Sequence, residues 1–133
     1  MNWRRISAQL LSSYLLIWVP GTFAAELLTT LPSIGTRGPA AWLELAAHAV
    51  VAAACAVAGR MLRIESPSAA AFATATVMLR ALVSLQSLFL TALPRDVAPG
   101  MRLPLALLEC LNAVIWLAVI RWIAGSERGQ TEV

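Results

Sequence analysis

Lysine is missing from this chain: all ten basic residues among its 133 are arginine. Charge of either sign is scarce, at 13% of residues, against 59% apolar. A soluble domain of this length needs far more polar surface to face water. Histidine and tyrosine occur once each, and the two cysteines, Cys55 and Cys110, sit apart inside apolar runs. That leaves no Cys-x-x-Cys pair and no Cys/His spacing for zinc, and a cysteine so placed reads as a small apolar side chain. No Gly-x-Ser-x-Gly elbow, P-loop or dinucleotide fingerprint is present, so no catalytic activity of the chain's own is expected. The isoelectric point of about 9.7 does not indicate nucleic acid. The arginines lie at the ends of apolar runs and not in one dense patch.

What the chain has instead is four long apolar stretches, at residues 6–28, 40–62, 69–93 and 103–123. Each matches the roughly 20 residues a helix needs to cross a bilayer core. None alternates with period two, which excludes spanning strands. The first follows Trp3, Arg4 and Arg5 and contains Pro20-Gly21 before Thr22-Phe23-Ala24. That layout fits a cleaved signal peptide or a membrane helix kinked at Pro20. Apolar character continuing through Leu27 and Leu28 favours the helix. Residues 29–39, with Pro32, Gly35, Gly38 and Pro39, read as a turn region. Ala52, Cys55, Ala56 and Gly59 bring small side chains together on the second stretch, which allows close helix approach. Ser66 and Pro67 read as the cap and first position of the third helix. Residues 125–133 read as a short, disordered polar tail.

The expected fold is therefore all-α: a polytopic membrane protein with one four-transmembrane-helix bundle over residues 1–124. Arg4, Arg5, Arg60, Arg63, Arg121 and Arg128 fall on the side of the termini, and Arg37, Arg95 and Arg102 on the other. This asymmetry places both termini in the cytoplasm.

Arg80 interrupts the middle of the third stretch. An arginine at that depth is expensive and must be received by other polar groups. Thr76, Arg80, Ser84, Ser87 and Thr91 recur at helical spacing and form a stripe that should look into the bundle, while Gln86 falls off it. On the second stretch Glu44 and His48 are four residues apart and share a face. On the fourth, Glu109 and Asn112 are three apart and do the same. The simplest closure pairs Arg80 with Glu109, Glu44 or both, through the two-pronged geometry arginine offers a carboxylate. Glu26 is expected at the external interface, and Tyr14 to pack with its hydroxyl satisfied.

With the helices placed, the layout resembles the DoxX-like group of small four-helix bacterial membrane proteins. The matching pieces are Gly21, Leu43-Glu44-Leu45, Gly59 with Arg63, the alanine-rich third helix and Pro104-Leu105. One departure is clear: family members often carry a basic residue shortly after the first-helix glycine, where Thr22-Phe23-Ala24-Ala25-Glu26 follows here. Some members of that group are linked to quinone or thiol redox systems; for this chain the resemblance implies a role for Glu44 and does not establish an oxidoreductase.

Three functions stay open on the sequence. The first is a bacterial inner-membrane protein whose cluster of Arg80, Glu44, Glu109, His48, Asn112, Ser84 and Ser87 opens toward the periplasm and binds a small or lipophilic ligand. In it Arg80 is the anchor, Glu44 and Glu109 are its counter-ions, and His48 is a proton carrier. The second is a structural or accessory subunit of a membrane complex. The third is a small transporter that must form a homo-oligomer, since four helices are few for a monomer. The only assured partner is the lipid bilayer; no cofactor is named and no metal or nucleic acid is expected.

Overall fold

The computed structural model describes residues 2–89 and 98–131, with side chains up to Gly125. Among them it is all helical. Helix α1 is Trp3–Ile34, α2 Pro39–Arg63, α3 Ala69–Phe89 and α4 Arg102–Thr131, the last led in by a 3₁₀ turn, Pro99–Met101. All four are long and apolar enough to cross a membrane, as in a multi-pass membrane protein. Large apolar side chains point outward along the bundle, among them Leu28, Leu43, Leu103 and Leu107. Packing runs α1–α2, α2–α3, α3–α4 and α4–α1, closing a ring of antiparallel neighbours.

Helix α1 departs from its expected bounds. The Asn2 side chain accepts from the Arg5 N–H and caps its start. The helix then continues past residue 28 to Ile34, so Pro32 lies inside it and not in a turn. Ile34 is buried against Ala41 and Leu45, with Phe23 and Leu27 beside them, and this small core holds the extra turns in place. Hydroxyls support the carbonyls near the prolines. Thr22 donates to the Val19 carbonyl at 2.8 Å, and Thr29 to that of Glu26 at 2.9 Å. Pro20 produces no break, because one turn before it, Tyr14–Trp18, is π-helical. The wider turn makes room for a ring that would otherwise meet the carbonyl four residues back.

The chain reverses between α1 and α2 at Gly38, whose φ of 81° suits glycine and leads into Pro39 at the first helical position. Helix α2 ends in a Schellman turn: Ser66 N–H bonds the Met61 carbonyl and Glu65 N–H that of Leu62. Glu65 fills the left-handed position, at φ 53°. Helix α3 then starts at Ala69, later than the Ser66-Pro67 pair suggests. Ser66 contributes its carbonyl to the Ala69 N–H, not a side-chain cap. The last residues expected in this helix, Thr91 included, lie outside the described residues, as do Arg95 and Asp96. At the other end of the chain α4 continues to Thr131, so a helix stands where a disordered tail is expected from residue 125 on.

The main core lies toward the termini end of the bundle. Leu11 and Leu15 of α1, Cys55 and Ala58 of α2, Ala73 of α3 and Ile120 of α4 meet there. Gly59 lets α1 and α2 touch: a Cβ on it would lie 2.9 Å from the Ser12 carbonyl oxygen and 3.0 Å from the Leu16 Cβ. Those neighbours are backbone or fixed to it, so they cannot swing aside. Gly59→Ala is therefore expected to part the two helices and destabilise the protein by about 2 kcal/mol. Denaturant unfolding in neutral detergent micelles measures this, and an unchanged midpoint would mean that the helices do not approach so closely.

Candidate functional site

Two polar layers cross the bundle between the main core and the end where α1 turns into α2. The first is built on Arg80, at the centre of α3. Its Nη1 donates to Glu109 Oε2 of α4 at 3.0 Å. The guanidinium carbon lies 5.6 Å above the ring of Tyr14 from α1, a distance at which a cation is drawn to the ring face. That ring stacks on Trp116 with centroids 4.8 Å apart, and its hydroxyl accepts from Asn112 Nδ2 at 2.9 Å. Glu109, Asn112 and Trp116 are spaced to share one face of α4, and that face meets α3 and α1 together. The pair is not sealed: the Arg80 and Glu109 side chains keep 20% and 25% of their surface exposed.

The second layer lies about 10 Å further along α3, two turns on. His48 Nδ1 meets Glu26 Oε2 at 2.9 Å and Oε1 at 3.0 Å. Its Nε2 is 2.7 Å from Ser87 Oγ. An ionised carboxylate only accepts, so Nδ1 carries its proton toward Glu26. Nε2 then accepts from Ser87 when the ring is neutral, and donates to it when the ring is charged. In either role the ring keeps its contacts to Glu26 and Ser87. Carboxylate, imidazole and hydroxyl stand in the order of a nucleophilic triad. However, Ser87 is 2% exposed, and its N–H lies in the interior of α3, so no oxyanion donor stands beside it.

Of the residues expected to converge, Arg80, Glu109 and Asn112 meet in one layer, and His48 and Ser87 in the other. Ser84 is half-buried one turn beyond Arg80. Thr76 is buried, and its hydroxyl bonds the Phe72 carbonyl of its own helix. Gln86, off the stripe, is exposed. Glu44 is half-buried one turn from His48 and is not a counter-ion of Arg80; Glu109 alone fills that role among the described residues. An Arg80–Glu44 pair is thus corrected, since Glu44 belongs to a helix that reaches Arg80's neighbours at a different level.

Two participants escape a sequence reading. Glu26 pairs with His48 and does not simply rest at the interface. It shares a face with Phe23 and the buried Thr30, and that spacing is the available signal. Tyr14 proves to be a platform for the arginine as well as a packed ring. Among the described residues no three His, Cys, Asp or Glu side chains gather to hold a metal.

Removing one member of the ion pair should cost more than removing both. Glu109→Leu is expected to destabilise by about 2 kcal/mol, less than a fully sealed pair would lose. Adding Arg80→Met should restore most of that loss. A double-mutant cycle on unfolding in detergent reads the coupling, and strict additivity would show that the two side chains do not interact. Compared with models of protein families, with curated proteins and with solved structures, the chain matches none.

Proposed function

We propose that this is a bacterial inner-membrane protein, both termini cytoplasmic, that binds a small lipophilic molecule carrying a carbonyl or similar acceptor group. Arg80 is the anchor, Glu109 and Tyr14 hold it, and His48 handles a proton toward the periplasmic side. The observation that carries the reading is the hydrogen-bond inventory of Arg80. A guanidinium has five N–H donors, and among the described residues one of them is bonded, to Glu109. In hydrocarbon an unpaired donor is costly, yet this group is partly exposed at the middle of its helix. An acceptor-bearing ligand that enters laterally from the bilayer would satisfy it, and the Tyr14–Trp116 stack offers a flat apolar wall. A quinone has the required shape and chemistry, in keeping with the DoxX-like resemblance. A fixed structural clasp would gain nothing from leaving those donors open.

The arginine asymmetry supports the orientation. A fluorescent protein fused to the C-terminus should fluoresce, and alkaline phosphatase fused there should be inactive; the reverse pattern would invert the topology. For the site, a short-tailed benzoquinone is titrated into the detergent-solubilised protein with quenching of Trp116, the other tryptophans replaced by phenylalanine. Saturable quenching is expected, and Arg80→Gln should weaken it by about tenfold, the loss of a charged hydrogen bond. Equal affinity in a variant with unchanged circular dichroism would end this reading.

A further inference from the structure

We infer that the termini end of the bundle carries a second site, one that holds the phosphate of an anionic phospholipid from the cytoplasmic leaflet. A cleft of about 830 Å³ opens there between the start of α1, the end of α2 and the turn into α3. Arg4, Arg5 and Arg63 line it and, among the described residues, one carboxylate, Glu65. Arg63 is the built part. Its Nε donates to Ser12 Oγ at 3.1 Å, and Ser12, 1% exposed, donates in turn to the Gly59 carbonyl at 2.8 Å. A buried hydroxyl thus holds the guanidinium by its inner nitrogen. Among the described residues no hydrogen bond or ion pair engages the Arg63 Nη groups or the guanidinium of Arg5. Two parallel N–H donors on a fixed plane suit a phosphate.

The remaining walls decide which phosphate. Ala8, Leu62, Ala70 and Ile123 also line the cleft, so an apolar surface lies under the cationic rim. A soluble phosphate ester would leave that surface wet, whereas a phospholipid would cover it with the first part of its acyl chain. The rim also lies where the arginine asymmetry puts the cytoplasmic headgroup region, and basic pockets between membrane helices on that side capture anionic headgroups. The site is separate from the Arg80 layer, and its failure would leave the ligand reading there untouched.

The test is native mass spectrometry of the full chain in neutral detergent with equal amounts of phosphatidylglycerol and phosphatidylcholine. The wild type should retain the anionic lipid with about fivefold preference. Arg5→Gln with Arg63→Gln should bring the ratio to parity, while Arg121→Gln, near the same end but outside the cleft, should leave it unchanged. Arg63→Lys keeps the charge and loses the bond to Ser12, so it should lower the preference without abolishing it. Parity in the wild type, or undiminished preference in the double variant with its unfolding midpoint retained, overturns the site. Loss of the lipid on adding excess inorganic phosphate overturns the lipid assignment in favour of a soluble phosphate ester.

Discussion

A guanidinium in the middle of a membrane-length helix is the constraint to which this bundle answers. Arg80 has eleven residues of α3 on one side and nine on the other, too far from either end for a lysine-like escape to the interface. It must be met at its own level, and it is met from two directions: Glu109 on α4 and the Tyr14 ring on α1. Each contact fixes a register. Sliding α4 by one residue would turn Glu109 about 100° around its axis and bring Leu108 or Cys110 to its place. Sliding α1 would remove the ring and, with it, the acceptor for Asn112. Three helices are thereby indexed to one charge, and α2 is brought in through His48, which bonds α1 and α3 together.

That arrangement asks something unusual of α1. Its inward residues Leu11, Leu15, Val19, Phe23 and Leu27 recur every four positions. In a regular helix such a series drifts by about 40° at each step and would soon face away from the core. The π turn at Tyr14–Trp18 holds more residues per turn and cancels much of the drift, so one face stays inward past Pro20. Tyr14 opens this turn, and Gly59 lets α2 lie against the same region. The proline, the widened turn and the glycine form one solution to keeping a long, close-packed helix in line with the arginine.

The helices, the inward stripe of α3 and the Arg80–Glu109 pairing were legible because each is written in local spacing and in the high cost of a charge in hydrocarbon. The small-residue approach at Gly59 was legible for a similar reason: side-chain size is a property of the residue itself. Glu26 was not, because its apolar stretch ends by hydropathy at Leu28, and only the packing of Ile34 on Ala41 and Leu45 keeps the helix going. Glu44 misled in the opposite way. Its face on α2 reads as one that could meet Arg80, but Glu109 of α4 is the carboxylate that arrives at the arginine's level. Helix spacing tells which residues share a face and is silent about which face of a neighbour arrives opposite. The C-terminal turns of α4 were missed because polar composition argues for solvent, not against helix.

The polar groups fall at three levels, and what separates them bears on function. Ser12 and Arg63 lie at the termini end, Arg80 and Glu109 at the centre, and Glu26, His48 and Ser87 toward the other end. Between the first and second levels stand Ala58, Ala73 and Ile120, each 3% exposed or less. The polar side chain of α3 nearest to Arg80 on that side is the buried Thr76, whose hydroxyl is bonded to the Phe72 carbonyl of its own helix. Between the second and third levels the polar stripe of α3 continues through Ser84 to Ser87. The polar groups around the arginine are therefore more numerous toward the end where α1 turns into α2 than toward the termini. A path for conduction needs both sides open, whereas a binding site needs one. That asymmetry supports the proposed binding site over conduction.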